Sequence, residues 1–446
     1  MPSRLLLVNG IIADPSPVAP HVFYDHALLI EDGRIARIAP VDEFADMEVD
    51  YLDLTGRLIL PGFINLHTHL YSTFARGLDT IQPAADFTGV LKNLWWKLDR
   101  ALSLDACYYS AMPVLFEAIR SGTTTIIDHH ASPTAVRGSL GALQRALADT
   151  GVRGCLCYEV SDRDGEAVAA DGIAENAEFL KLCARLNDGM LRGLFGLHAS
   201  FTLSDRTLQR AAEAAGMTNA GFHIHVAEAA ADQEETLKMS GKRVVERLRD
   251  CGILGDRTIA AHAVHVSDEE MDLLAMTGTV VAHNPQSNMN NAVGIADVER
   301  LRSRAVHVGL GTDAMTHDMR QELRAGLWAQ RLKQQLPSAG WHAMLAAQWE
   351  VNPMMATRLF GRQVGTMAEG AAADIIAVTY DPPTPLTNDA LHGHLLFGIA
   401  SAPVDTTMVN GRVLMYRGRL ELELDEEEVM ARARECASAV WSKIKN

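Results

Sequence analysis

Two histidines stand one residue apart in "PGFINLHTHL", at His67 and His69, directly after an apolar run. On an extended chain alternate side chains share a face, so both imidazoles can address one ion. Taken alone, the pair reads equally well as two polar residues at a strand end. Two further stretches shift that balance. "HIHVAE" supplies His225 with Glu228 three residues on, and "GLGTDA" supplies Asp313. His67, His69, His225 and Asp313 together offer three imidazoles and a carboxylate, a set that leaves one position open for water on Zn²⁺ or Fe²⁺.

Such residues act together only if the fold gathers them. Eight short apolar runs lie between residues 58 and 314, each closing on a polar or histidine-bearing tip, with helical-looking sequence between them. They begin with 58–69, 123–130, 152–160 and 191–200, and continue with 221–228, 258–266, 279–288 and 305–314. Continuous rather than alternating hydrophobicity marks parallel strands buried on both faces. Eight of them with crossover helices predict an α/β fold, a (β/α)₈ TIM-type barrel over 58–364, whose chemistry sits at the carboxyl ends of the strands. The flanks, 1–57 and 365–446, show strand patterns with turn signals at Asn9-Gly10, Asp32-Gly33 and Asn410-Gly411. They are expected to join as one small composite β-sandwich, with a polar helix over roughly 424–443 at the end.

Composition narrows the class of partner. The formal net charge is −16 over 446 residues, and Lys and Arg are scattered, which argues against nucleic acid and anionic membrane surfaces. No apolar run reaches the length of a membrane span, and the first residues lack a leader pattern. Six cysteines in so long a chain make no disulfide framework. Cys155 and Cys157, alternating inside an apolar run, are expected in the core. A cytoplasmic enzyme is the expectation.

The motifs "PGFINLHTH", "HVAE", "AHAVH", "HNPQSN" and "GTDA", in that order, resemble the amidohydrolase superfamily in its metal-dependent aminohydrolase branch, which includes guanine deaminases and triazine hydrolases. "DHHASP", "CYEVSDRDG" and "GLHASFTLSD" resemble the SsnA group of that branch more narrowly, which implies a purine-related role. Two-metal members bridge their ions with a carboxylated lysine on the fourth strand. Here the fourth run carries His198 and no lysine, so the resemblance implies one divalent ion, Zn²⁺ first and Fe²⁺ second.

Hydrolytic deamination requires a hydroxide, a proton donor for the ring nitrogen and an acceptor for the proton of water. A bound divalent ion brings the pKa of water toward about 7. Asp313 is suited to take the proton and Glu228 to deliver one to the heterocycle and then to assist loss of ammonia. Position in the family favours His262 over His265 as the group orienting the water. His223 precedes His225 on the same face and reads as a core hydrogen-bonding residue. His283, in a loop resembling the family's His-Asn-Pro-X-Ser-Asn, would shape the pocket; the same loop also reads as a helix-capping turn.

Substrate contacts are sought at the same mouth. His130 and His198 occupy strand tips, and Arg76 and Glu159 are weaker candidates. Trp95 and Trp96, in a long insertion over 70–103, can stack on a flat ring or pack against the barrel. The expected reaction is hydrolytic deamination of a purine or an oxidised purine such as guanine or 8-oxoguanine. Two alternatives stand beside it: removal of a halide or another leaving group from a triazine-like ring, and a catalytically silent scaffold. A homodimer or larger assembly is expected from the superfamily.

Overall fold

The structure, a computed structural model, describes residues 4–78 and 83–445. Residues 79–82, within the insertion, lie outside the described residues. The barrel is laid down as two parallel arcs. The first has the order Leu191–Gly193, Arg153–Leu156, Thr123–Asp128, Phe63–Thr68. The second runs Phe195–Ala199, Phe222–Val226, Ile259–His262, Val280–His283, Val308–Leu310. Parallel bridges Val160–Leu197 and Thr68–Asp313 join the arcs at both seams. The fourth apolar run thus contributes to both arcs, on either side of Leu194. Every strand of the second arc but one is wholly buried, the exception being Phe222–Val226, which turns His225 partly outward.

The seam next to the first strand is tight. A Cβ at Gly311 would come within 2.6 Å of Asn284 Oδ1 and 2.8 Å of the His67 Cβ, so the glycine of "GLGTDA" lets Asp313 approach the first strand. Asn65 Nδ2 reinforces the contact with a 2.7 Å bond to Thr312 Oγ1.

The run over 58–69 is not one strand. Arg57–Pro61 pairs antiparallel with Ile375–Thr379 in the sheet shared by both chain ends, and only Phe63–Thr68 belongs to the barrel. Gly62 makes the change of sheet possible, because a Cβ there would lie 2.3 Å from the Thr124 side chain. A second expectation also changes. Asn9-Gly10 does not close a hairpin: Arg4–Val8 pairs with His26–Glu31 in one sheet, while Ile11–Asp14 pairs with Arg57–Pro61 in the other. The turns at Asp32-Gly33 and Asn410-Gly411 do close two-residue hairpins, with positive φ at all four residues.

The two sheets of the small unit pack their apolar faces together around Leu7, Leu28, Ile59 and Ile375. A fully buried ion pair, Arg153 Nε to Asp374 Oδ2 at 2.8 Å, ties the third barrel strand to this unit. The insertion is helical from Phe87 to Ala101. The terminal helix, Glu426–Lys445, lies across it, with Trp441 Nε1 donating to Phe74 O at 2.7 Å and Lys443 Nζ to Ala101 O at 3.2 Å. Among the described residues no helix is long and apolar enough to cross a membrane.

Candidate metal centre and active site

The first strand presents His67 and His69 on one face at the barrel mouth. His69 Nδ1 donates to the His129 carbonyl, and His225 Nδ1 donates to the His198 carbonyl at 3.0 Å. With both Nδ1 positions protonated, the neutral rings carry lone pairs on Nε2, and these two atoms face each other at 3.3 Å. His67 Nδ1 meets His223 Nε2 at 2.8 Å, and its buried Nε2 has no hydrogen-bond partner among the described residues. Asp313 Oδ1 stands 3.1 Å from His69 Nε2 and 3.8 Å from His67 Nε2. Three imidazole lone pairs and a carboxylate converging on one point repel one another unless a cation lies between them. The donor set fits a divalent ion bound through nitrogen and oxygen, and His223 orients one of its ligands from behind.

Beside this cluster stands a second group. His262 Nε2 is 3.5 Å from Glu228 Oε2 and 3.7 Å from Asp313 Oδ2. The Asn288 amide donates to His262 Nδ1 at 2.8 Å, which places the imidazole proton on Nε2, facing the two carboxylates. Ser287 donates to Asp313 Oδ2 at 2.5 Å and Asn291 to Glu228 Oε1 at 3.3 Å. One short helix after the seventh strand, Pro285–Asn290 with its flanking Asn291, therefore aligns three of the functional groups. Its residues do not act as the expected helix cap, since Asn284 makes no side-chain capping bond.

The backbone pays for this aim with left-handed residues at the strand tips: Ala227, His262, Ala263 and Asp313 all have φ between +47° and +77°. Non-glycine residues rarely adopt that region, and they persist where surrounding structure holds them. Burial, and then the Asp313 charge, push the Glu228 carboxyl well above its usual range. Burial holds His67 and His225 well below the usual imidazole value. Where no cation is bound, burial opposes a charge on His69, yet the Asp313 carboxylate outweighs it and lifts that ring to about 9, so that a proton meets the demand for positive charge that an ion would otherwise meet.

Around the cluster the cavity is walled by Trp95 and Trp96 from the insertion, together with Tyr71, Arg163, and Glu159 and His198, whose polar atoms come within 4.8 Å of His225. His198 Nδ1 bonds Thr202 Oγ1 at 2.6 Å, and its Nε2 lies 3.4 Å from Glu159 Oε1. Burial raises the Glu159 carboxyl to about 7. The Arg163 guanidinium lies over the Trp96 ring, 5.4 Å from its centroid, and pairs with the buried Asp99.

The amidohydrolase family pattern matches residues 58–414. The chain belongs to that family. As an amidohydrolase it is a metal-dependent hydrolase of C–N bonds other than peptide bonds, and it deaminates an amino-substituted N-heterocycle. A 5′-deoxyadenosine deaminase of Methanothermobacter thermautotrophicus is 33% identical over 421 residues, covering 92% of this chain and 94% of that protein. A 5-methylthioadenosine/S-adenosylhomocysteine deaminase of Desulfitobacterium hafniense is 31% identical over 410 residues, covering 90% and 91%. The crystal structure of an adenosine deaminase from Xanthomonas campestris with bound zinc matches with a TM-score of 0.85 over 98% of both chains, at 22% identity.

Three residues expected at the substrate lie elsewhere in this amidohydrolase. Arg76 turns outward and pairs with Glu117 at 2.5 Å, because the insertion leaves the barrel mouth at that point. His130 is buried behind the wall, with Nε2 bonded to Ser132 Oγ at 3.0 Å. His283 is fully buried beneath the seventh tip and does not line the cavity. His265 is also directed away, its Nε2 bonded to Val293 O at 2.7 Å. His129 stacks on His223 with centroids 4.6 Å apart, and Cys155 and Cys157 are buried. Sequence reasoning missed Asp99, Arg163, Ser287, Asn288 and Asn291. The last three sit in or beside "HNPQSN", and Arg163 sits in "CYEVSDRDG", so those motifs were the available signal; Asp99 lies in an ordinary-looking charged stretch.

Proposed function

We propose that the substrate is an aminopurine without a phosphate, deaminated at one Zn²⁺ held by His67, His69, His225 and Asp313. The observation that carries the reading is the pairing of a four-ligand cluster with a proton-carrying carboxyl, Glu228, across a flat aromatic cavity. When bound, the ion supplies a water that ionises near neutral pH. Asp313, anchored by Ser287, accepts the proton of that water. His262 Nε2–H, fixed by Asn288, orients the attacking oxygen. Glu228 delivers a proton to the ring nitrogen beside the amine and then assists departure of ammonia. His198 and Trp96 bound the space for the ring.

The named relatives extend the expected substrates from guanine and 8-oxoguanine to adenosine-type nucleosides, and they favour deamination over dehalogenation. Among the described cavity-lining residues Arg163 is the one cation besides the imidazoles, and it is already paired, so a phosphate has no free charge cluster to meet. The test follows ammonia from adenosine, 5′-deoxyadenosine, guanine and 8-oxoguanine, and from the 5′-monophosphates of adenosine, guanosine and 8-oxoguanosine. A tenfold preference for any nucleotide, or halide release from a chlorotriazine with no ammonia from any purine, would overturn the reading. Metal analysis is expected to return about one equivalent per chain; two equivalents, both needed for turnover, would contradict the single-ion assignment.

A further inference from the structure

Two buried donors on the cavity wall have no use in the chemistry above. Arg163 and Trp96 both line the cavity, and neither Arg163 Nη1 nor Trp96 Nε1 has a hydrogen-bond partner among the described residues. The Arg163 side chain is 8% exposed. Nη2 bonds Asp99 Oδ2, while Nε lies 3.3 Å from Asp164 Oδ2 as an ion pair without a hydrogen bond. The guanidinium is therefore held beside two carboxylates and the Trp96 face, with both N–H of Nη1 left without a partner among the described residues. A buried donor left unbonded is destabilising, so a site retains one where something else bonds to it.

The wall lies close to the reacting centre. Glu159 faces both the Arg163 charge and the His198 ring, and His198 is 5.6 Å, centroid to centroid, from the ligand His225. Trp96 is 6.4 Å from His198 on the same scale. A group on the substrate ring itself, rather than on a long substituent, reaches donors placed this near. Two N–H groups, one of them charged, fit an oxygen with two lone pairs to offer.

We propose that Arg163 is a specificity-determining residue that binds a ring carbonyl oxygen, so that this deaminase selects an oxo-substituted aminopurine over adenine-type rings. Trp96 Nε1 is the second donor to that oxygen, and Asp99 positions the guanidinium. The inference rests on the aminopurine reading and narrows it.

The test compares guanine and 8-oxoguanine with 2-aminopurine, which keeps the 2-amino group and lacks the carbonyl, and with adenosine. The wild-type enzyme is expected to favour the oxopurines over 2-aminopurine by about 10² or more in kcat/KM, as sites built around a hydrogen bond do. Arg163→Met should lower oxopurine kcat/KM by roughly 100-fold, and Trp96→Phe, which removes only the N–H, by roughly tenfold. In both variants 2-aminopurine, followed as a substrate or as a competitive inhibitor, should stay within about threefold, and bound metal should be unchanged. Arg163→Lys keeps a charge beside Asp99 but loses the fork, and should show the same selective loss if the Met variant does not fold. Equal losses on oxopurines and 2-aminopurine would make Arg163 structural and overturn the inference. So would wild-type activity on adenosine with none on any oxopurine, which leaves the aminopurine reading standing. Ammonia from no purine at all would remove both.

Discussion

On the rim formed by the first, fifth, sixth and eighth strands, each functional side chain sits on a buried strand or within three residues of its end. A second bond fixes it: His69 to the His129 carbonyl, His225 to the His198 carbonyl, Asp313 to Ser287. The facing wall is assembled differently. Trp95, Trp96 and Asp99 come from the insertion, Arg163 comes from the loop beyond the third strand, and the terminal helix braces the insertion from outside. The rim keeps its geometry because continuous parallel strand pairing holds neighbouring tips in register. The wall depends on contacts between segments distant in sequence. On the proposed reading, chemistry is built on the rigid side, and choice of substrate on the side that can be changed without disturbing it.

Four substitutions probe that division. On the rim, His225→Ala should remove bound metal and turnover together, down to the uncatalysed background, measured by metal analysis and ammonia release. Full metal content in that variant would break the assignment of His225 as a ligand.

Glu228→Gln, also on the rim, should keep the metal and lower turnover by about 10²–10⁴-fold, because an amide delivers no proton. Near-normal turnover would move the proton donor elsewhere, with Glu159, on the other side of His225, the next residue to replace.

Ser287→Ala leaves every proposed ligand in place and removes the bond that anchors Asp313, along with a longer 3.4 Å bond from Asn291 Nδ2. Partners of this kind typically contribute about 10–100-fold in metal affinity or activity. A metal titration together with steady-state kinetics should find a loss in that range, and an unchanged enzyme would show that strand position alone suffices to aim Asp313.

The smallest effect is expected outside both regions. Arg76→Ala breaks an exposed pair with Glu117 and should cost at most about 1 kcal/mol in a denaturation experiment, with kcat/KM unchanged. A marked loss of activity would return Arg76 to the substrate wall, contrary to its outward orientation.

How legible each part was follows from the range of the interactions that specify it. Continuous apolar runs ending in polar tips reveal buried parallel strands because the signal lies within six or eight residues. Alternation on an extended chain pairs His67 with His69 for the same reason, and the structure sets His67, His69 and His225 within one cluster, with Asp313 3.1 Å from His69. The turns at Asp32-Gly33 and Asn410-Gly411 are equally local, since two left-handed residues suffice to close a hairpin.

Other features were decided by packing alone. The sequence by itself determined the order of the strands, the residue types at their tips and the chemistry those types permit. Only the tertiary structure decided that Asn9-Gly10 passes between two sheets and that Gly62 divides a continuous apolar run between them. It also decided that His262 and not His265 faces the carboxylates, that Arg76 and His130 leave the cavity, and that Asp99 and Arg163 meet on its wall. Those outcomes depend on contacts between residues tens to hundreds of positions apart, such as Arg57–Pro61 with Ile375–Thr379. A short stretch of sequence encodes its own period and its own turns, whereas which distant surface it meets is fixed when the barrel closes and the chain ends pack together.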